Sequence, residues 1–282
     1  LDWALVDLGR RDEAEYSEAA LGIYDELGDL GGQATVLNNM AGFAFWEGRW
    51  AEAAERYGRA REAWTKTGDQ VNAAVATAGS AEILLEQGRL AEAESASREA
   101  LRVWRAAGHK WGMGYATLLL GRIAVRAGDP GRAAPLLEQA RMWFTDVGAT
   151  DLVVETDARR AEGLVLEGKG AAALDLVSES LRRARSEEGS ATHAPLLHRV
   201  RGYALMQVGD LEGAAEALES SLRLARAMDA GHEVATTLQA FAELRRLRGL
   251  PPSPDEEEES RDLFTRLGVV AVPRVPLPTV VR

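Results

Sequence analysis

The chain has 282 residues, 46% of them apolar and 27% charged, and carries a formal net charge of -11 at pH 7. This balance is typical of a folded globular protein, and its acidity argues against a general nucleic-acid-binding surface, which concentrates positive charge. The absence of cysteine excludes a disulfide framework and a thiolate zinc site, so a reducing cytoplasm is the expected location. No apolar run approaches the roughly 20 residues that span a bilayer, so no membrane contact is expected.

The start of the chain indicates material upstream. Leu1 is not a methionine, and no signal-peptide pattern follows it. Residues 1–8 are typical of the last turns of a helix already under way. We therefore expect a part of a longer protein, with further domains before Leu1.

Two ladders of glycine divide the chain at regular intervals. The first recurs about every 40 residues, at Gly9, Gly48, Gly88, Gly128, Gly168, Gly209 and Gly249. The second lies 19 to 21 residues further on, at Gly28, Gly68, Gly108, Gly148, Gly189 and Gly268, with Asp229-Ala230-Gly231 standing in for one glycine. Glycine tolerates the left-handed conformation that ends helices. The ladders therefore predict paired helices of about 17 residues, each roughly 25 Å long.

The segments between the glycines have helical periodicity. Ala53, Tyr57, Ala60 and Trp64 recur at intervals of 4, 3 and 4 and share one helix face. A large ring stands four residues before most glycines of the second ladder, at Tyr24, Trp64, Trp104, Phe144 and Phe264. We interpret these rings as packing knobs between neighbouring repeats, and we expect no cofactor.

The last repeat departs from this rhythm. Ser253 as N-cap, Pro254 at the first helical position and the acidic first turn predict a helix start. Residues 269–282 contain three prolines and are predicted to form an extended tail.

Taken together, these positions resemble the tetratricopeptide repeat. That family has a small residue in the first helix of each pair, then a glycine, and in the second helix an alanine, a large residue and another alanine. In this chain these positions are Ala41, Gly48, Ala53, Tyr57 and Ala60. The repeat is 40 residues long instead of the usual 34, and it lacks the proline that usually ends such a repeat. Long repeats of this kind are similar to the sensor domains of bacterial STAND ATPases and SARP-type transcriptional regulators, and residues 263–270 resemble the ends of actinobacterial ones.

The resemblance implies an all-α fold, a right-handed superhelical solenoid of antiparallel helix pairs with six to seven repeats. It covers residues 1–268 and is followed by the tail at 269–282. The repeat units would end near Gly28, Gly68, Gly108, Gly148, Gly189, Gly231 and Gly268.

The resemblance also implies a concave binding surface lined by the first helix of each pair. Projecting the family's ligand-facing positions gives Asn38, Asn39, Phe45, Glu82, Tyr115, Arg122, Glu155, Glu162, Arg199, Tyr203, Met206, Gln239 and Glu243 as candidates. Gly42, Leu118, Val125, Ala158 and Arg246 complete the projection. Aromatic and arginine residues anchor peptides, and two asparagines would clamp an extended backbone. The alternative is that these residues only solvate the inner wall.

No motif indicates a catalytic centre. The four histidines His109, His193, His198 and His232 form no His-Glu-x-x-His pattern, and no metal site is expected. His109 and His232 stand beside helix ends, so we expect both to face solvent. Residues 163–170 nearly match a phosphate-binding loop, but no hydroxyl follows Lys169 and a repeat helix replaces the required strand.

Three functions are compatible with this sequence. The first is a non-catalytic sensor or scaffold that binds a protein segment or a small effector in the concave groove and couples to upstream domains of a larger bacterial regulator. The second is a free-standing adaptor, for which a homodimer through the terminal helices is expected. The third and least supported is a hydrolase that uses Glu155 or Glu162. Direct contact with nucleic acid is not expected.

Overall fold

The computed structural model of the protein describes residues 16–186 and 190–278, and throughout these ranges the chain is helical or irregular, without a strand. The first helices of the pairs, called inner helices below, are α2 (Leu30–Trp46), α4 (Gln70–Glu86), α6 (Lys110–Arg126), α8 (Thr150–Leu166), α10 (Ala194–Val208) and α12 (Gly231–Leu247). The outer helices are α1 (Tyr16–Leu27), α3 (Trp50–Lys66), α5 (Leu90–Ala107), α7 (Pro130–Val147), α9 (Gly170–Ser186), α11 (Leu211–Ala227) and α13 (Pro254–Leu267). A short 3₁₀ helix, Ser190–His193, precedes α10. The predicted all-α solenoid of helix pairs is confirmed, with six complete pairs from α2 to α13.

The helix ends follow the glycine ladders. The ladder glycines in the described ranges have φ between 64° and 88°, the left-handed conformation that favours glycine; Gly9 and Gly189 lie outside these ranges. One boundary lacks a ladder glycine. Asp229, with φ 52°, takes the left-handed position between α11 and α12, whereas Gly231 is the first residue of α12. Of the three residues Asp229-Ala230-Gly231 that stand in for the glycine, Asp229 is therefore the one in the left-handed conformation.

Three of the inner helices, α2, α4 and α6, are capped at their start by the residue after the glycine. Asp29 and Asp69 each accept a hydrogen bond from the backbone N–H three residues on, at 3.0 Å. The exposed His109 does the same through Nδ1, at 3.1 Å from the Gly112 nitrogen. These bonds satisfy N–H groups that the first helical turn leaves free. Helix α13 begins at Pro254 as predicted, but the Ser253 side chain makes no capping bond.

The predicted packing knobs lie between repeats. Trp64, Trp104 and Phe144 are buried, while Tyr24 and Phe264 are partly buried. Trp104 lies against Gly112 so closely that a β-carbon there would be 2.2 Å from the indole. The small residue on the inner helix therefore makes room for the ring of the preceding outer helix, and the knob interpretation is confirmed for the buried rings.

The solenoid closes on itself. The indole of Trp50, at the start of α3, lies 5.3 Å from the imidazole of His232 at the start of α12. Leu267, at the end of α13, is buried in one cluster with Ala44, Trp50 and Ile83. Early and late repeats are thus in contact, and the inner helices surround a common axis. The concave surface is the wall of an enclosed space.

The segment 269–278, called the tail below, has neither helix nor strand and crosses the C-terminal ends of inner helices. Near α4, the Val270 N–H donates to the Gln87 carbonyl at 2.8 Å. Near α10, Gln207 Nε2 donates to the Pro276 carbonyl at 2.9 Å and to the Val165 carbonyl at 2.7 Å. The tail therefore covers one mouth of the enclosed space.

Candidate functional site

The inner helices bring oppositely charged side chains together on the axis. Arg122 on α6 is 2% exposed and forms ion pairs with three carboxylates. Its guanidinium lies 2.6 Å from Glu82, contacts Glu86, and lies 3.4 Å from Glu155. One arginine therefore joins α4, α6 and α8.

Glu86 is the second centre of this ion network. Its carboxylate pairs with Arg122 and Arg126 and lies 3.5 Å from the Arg159 guanidinium. His232 Nε2 lies 3.7 Å from the same carboxylate. Since His232 belongs to α12, this contact extends the network across the closure of the solenoid.

The network continues along the late inner helices. Arg159 Nη1 lies 3.2 Å from the Glu162 carboxylate. Arg199 Nη2 lies 3.2 Å from Glu233, and Arg199 Nη1 lies 3.9 Å from Glu162. Every inner helix from α4 to α12 thus contributes a charged group, and nearly all these groups are largely buried.

The charges within the network set the protonation of its carboxyls. Burial acts to raise the pKa of Glu86, but the guanidinium groups of Arg126 and Arg122 outweigh it and hold that pKa well below its ordinary value. The pKa of Glu155 and that of Glu162 are likewise lowered, because neighbouring cations outweigh the burial that would raise them. These three carboxyls are ionised at neutral pH, so none is a general acid.

Two histidines beside the network both have a lowered pKa. Burial lowers the pKa of His193 and of His232, and this effect exceeds the attraction of Glu155 for the first and of Glu86 for the second. Both imidazoles are therefore neutral at pH 7 in the folded protein.

Stability should fall in two stages as the pH is lowered from 8 to 3. The unfolded chain protonates its histidines near the ordinary pKa of 6.5 before the buried His193 and His232 do, so stability declines below that pH. The lowered pKa of Glu86, Glu155 and Glu162 gives stability that is present above the ordinary value of 4.5 and is lost as the pH falls below it. Melting temperatures measured across this range test both stages. In His232→Gln the decline between pH 7 and pH 5 should be shallower, and a constant melting temperature above pH 5 would contradict the buried neutral histidines.

A cavity of about 230 Å³, called the axial cavity below, lies beside the network. Its aromatic wall consists of Phe45, Trp46 and Trp50, and the rings of Phe45 and Trp50 stack at 5.8 Å and 13°. Trp50 Nε1 donates to the Phe45 carbonyl at 3.0 Å, which fixes the orientation of this wall. Two further lining residues are bonded to each other, since the Tyr115 hydroxyl donates to the Glu82 carboxylate.

The projected site residues separate into groups. The axial cavity is lined by Phe45, Glu82, Tyr115 and Glu155. A smaller cavity of about 40 Å³ beneath the tail is lined by Glu162, Arg199, Tyr203 and Gln239. Arg122 is enclosed by its three carboxylates, and neither cavity is lined by Asn38, Asn39, Met206 or Glu243.

Several projected positions do not present a side chain to either space. Met206 has no exposed surface and packs in the core cluster of α8 to α11. Leu118, Val125 and Ala158 are also buried core residues, because the tight solenoid packs these faces against neighbouring helices. The Asn38 Oδ1 atom is buried without a hydrogen-bond partner in the described part of the chain.

The projection missed charged residues that build the network. These are Glu86, Arg126, Arg159, His232 and Glu233. The expectation that His232 faces solvent was wrong, because closure of the solenoid buries its ring against Trp50. The missed signal was present at the repeat spacing: Glu86 and Arg126 are 40 residues apart, as are Glu82 and Arg122.

Three features of other classes of site were sought in the described residues. No group of three or more His, Asp or Glu side chains within them is arranged to hold a metal ion. Residues 163–166 end helix α8, and the Lys169 ammonium pairs with Glu167 at 2.6 Å, so the sequence resembling a phosphate-binding loop is a helix end. None of the described helices combines the length and apolarity needed to cross a membrane.

Comparison with known proteins agrees with this architecture. The family model for the tetratricopeptide repeat matches residues 32–106 and 73–141, a range that runs from the first turn of α2 into α7. No curated protein matches the chain. Tetratricopeptide repeats suggest a protein-interaction domain and are generally non-catalytic. The helix pairs, the glycine-ended turns and the family match show that residues 32–141 form tetratricopeptide repeats.

Proposed function

We propose that this domain is a non-catalytic binding module that receives an extended segment of a partner protein at the mouth that its own tail covers. The observation that supports this proposal is the tail itself. It is an extended segment bound across the ends of α4, α8 and α10, so this mouth accommodates such a segment without further rearrangement.

The tail is held largely through its backbone. The Val270 N–H and the Leu267 carbonyl both bond to Gln87, the first to its carbonyl at 2.8 Å and the second to its side-chain amide at 3.0 Å. The Pro276 carbonyl accepts from Gln207. Backbone contacts of this kind give affinity to extended peptides of varied sequence.

Apolar side chains add selectivity to these bonds. Val275 and Leu277 pack against the core cluster of α8 to α11. Pro273 and Pro276 restrict the chain to extended conformations, which reduces the entropy lost on docking. A partner segment with alternating apolar residues and prolines would fit the same surface.

The tail competes with a partner from within the same chain. A tethered segment has an effective concentration in the millimolar range for a short flexible connection. A partner must therefore bind more tightly than the tail or be present at a high local concentration. Only such a partner would displace the tail, so weak or scarce segments would leave this mouth closed.

We further propose that this module is the sensor arm of a larger, cytoplasmic bacterial signalling ATPase that regulates transcription. The long 40-residue repeat supports this assignment through its resemblance to such sensor domains. Displacement of the tail by a partner segment would be transmitted to other domains of the same polypeptide.

A synthetic peptide of residues 269–282 tests the proposed site. In the full chain, Val275→Asp with Leu277→Asp should release the tail, because both side chains would place a charge against an apolar cluster. Fluorescence anisotropy should then show the labelled peptide binding at least about tenfold more tightly to this variant than to the unaltered chain, since the competing tail is gone.

The matched control is Val270→Asp, at a tail side chain that is 72% exposed, which should leave the tail docked and peptide affinity low. Gln207→Ala in the released variant should weaken the peptide by removing a bond to its backbone. Circular dichroism establishes that each variant is folded. Failure of a folded, released variant to bind the peptide better than the control would refute the proposed site.

A further inference from the structure

We propose that the axial cavity binds an organic cation, an ammonium or guanidinium group on an apolar body. The cavity shares Glu86 and His232 with the smaller cavity beneath the tail, but no tail residue lines it. Its lining residues come from the N-terminal ends of α8, α10 and α12, such as Asp151, Pro195 and Gly231, and from the C-terminal ends of α2 and α4, such as Phe45 and Glu86.

The cavity is large enough for a small ligand and has a visible entrance. Its volume of about 230 Å³ exceeds that of an apolar cavity of about 150 Å³ known to accept benzene. Trp46 lines it and is 40% exposed. The cavity is therefore open to solvent at this indole, where a small ligand could enter.

The charges around the cavity favour a cation. Six carboxylates belong to the cavity wall and the adjoining network, those of Glu82, Glu86, Asp151, Glu155, Glu162 and Glu233. Four guanidinium groups face them, those of Arg122, Arg126, Arg159 and Arg199. Among the described residues this leaves an excess of two negative charges, and the low exposure of most of these groups limits screening by salt.

The aromatic wall supplies the second half of the site. Phe45 packs edge-on to Trp46 at 5.9 Å and stacks on Trp50 at 5.8 Å, and Tyr115 lines the same cavity. Ring faces attract cations that lie within about 6 Å of them, and desolvation strengthens the attraction. Carboxylates and ring faces in one cavity therefore suit a cation that also carries apolar surface.

Other ligand classes fit this cavity less well. An anion would meet arginines that are already paired with carboxylates, and it would add to the negative excess. A bare metal ion finds no group of three suitable ligands among the described residues. A neutral apolar ligand would leave the charge excess uncompensated.

Isothermal titration of the full chain with 2-phenylethylamine tests the inference. The neutral 2-phenylethanol and the anionic 3-phenylpropionate are matched in size and differ in charge. We expect the amine to bind, and each of the other two to bind at least about tenfold more weakly, which corresponds to about 1.4 kcal/mol. An amide-capped arginine is titrated in the same way, once as the free compound and once within a short peptide. Tighter binding of the free compound indicates a small-molecule ligand, and tighter binding of the peptide indicates the side chain of a protein partner.

Variants locate the bound amine. Asp151→Asn and Trp46→Ala should each weaken the amine at least about fivefold, because each removes one of the two attractive elements. The exposed Asp175→Asn is the matched control and should change nothing. Equal affinity for the amine and the alcohol, no binding of any of these compounds to the folded chain, or unchanged affinity in both cavity variants would overturn the proposal. The Val275→Asp, Leu277→Asp chain should retain amine binding, so this result is independent of the tail.

Discussion

Replacing Trp104 by alanine is expected to lower the free energy of unfolding by about 3–5 kcal/mol. The indole has no exposed surface, and its Nε1 donates to the Val71 carbonyl at 3.2 Å. Its loss removes a large apolar area and leaves a cavity between two repeats. The inner helix cannot collapse into this space at Gly112 without moving its backbone, because no side chain is present there to repack.

Urea denaturation followed by far-ultraviolet circular dichroism measures this effect. Trp111→Ala is the matched control, because that indole is 36% exposed and its removal leaves a smaller gap. We expect the control to lose a small part of what Trp104→Ala loses. A loss below about 0.5 kcal/mol for Trp104→Ala would mean that the ring does not hold neighbouring repeats together.

Replacing Arg122 by methionine is expected to be about as damaging, at about 3–5 kcal/mol. The change keeps the side-chain length and removes the cation that Glu82, Glu86 and Glu155 share. Buried carboxylates without a partner charge are strongly disfavoured, and at pH 7 they must either stay ionised at high cost or take up protons.

Chemical denaturation at two pH values distinguishes this cause from lost packing. At pH 4 the carboxyls left without a partner charge can be protonated. The difference in the free energy of unfolding between Arg122→Met and the unaltered chain should therefore be smaller than at pH 7. The exposed Arg98, paired with Glu94 at 2.8 Å, gives the control variant Arg98→Met, which should cost less than about 1 kcal/mol. A difference for Arg122→Met that does not change with pH would attribute the loss to packing alone.

Much of the repeat architecture was predictable because it depends on local chemistry. Glycine in the left-handed position marks where a helix ends whatever the rest of the chain does, so Gly48 and Gly88 located helix boundaries. A ring four residues before such a glycine faces the next repeat, which was sufficient to predict the burial of Trp64 and Trp104. The exception, Asp229, arose because aspartate also tolerates this conformation.

The site was less predictable because it depends on the curvature of the whole solenoid. Positions projected from open repeats, such as Leu118 and Met206, are buried because these helices pack around a narrow axis. The contact of His232 with Trp50 joins residues far apart in sequence, and no local pattern specifies it. The pairing of Glu82 with Arg122, in contrast, was readable at the repeat spacing. The tail was predicted to be extended, but its docking on Gln207 was not.

Closure of the solenoid also determines how the chain can fold and how long it can be. An open array of repeats makes contacts only between neighbours, so folding can start anywhere and spread, and repeats can be added or removed. Here the Gln87 side chain bonds to the Leu267 carbonyl, 180 residues away. Bringing such distant segments together costs conformational entropy, because a long loop must be closed, and this slows folding. One further helix pair inserted between them would separate α3 from α12 and break the contact of Trp50 with His232.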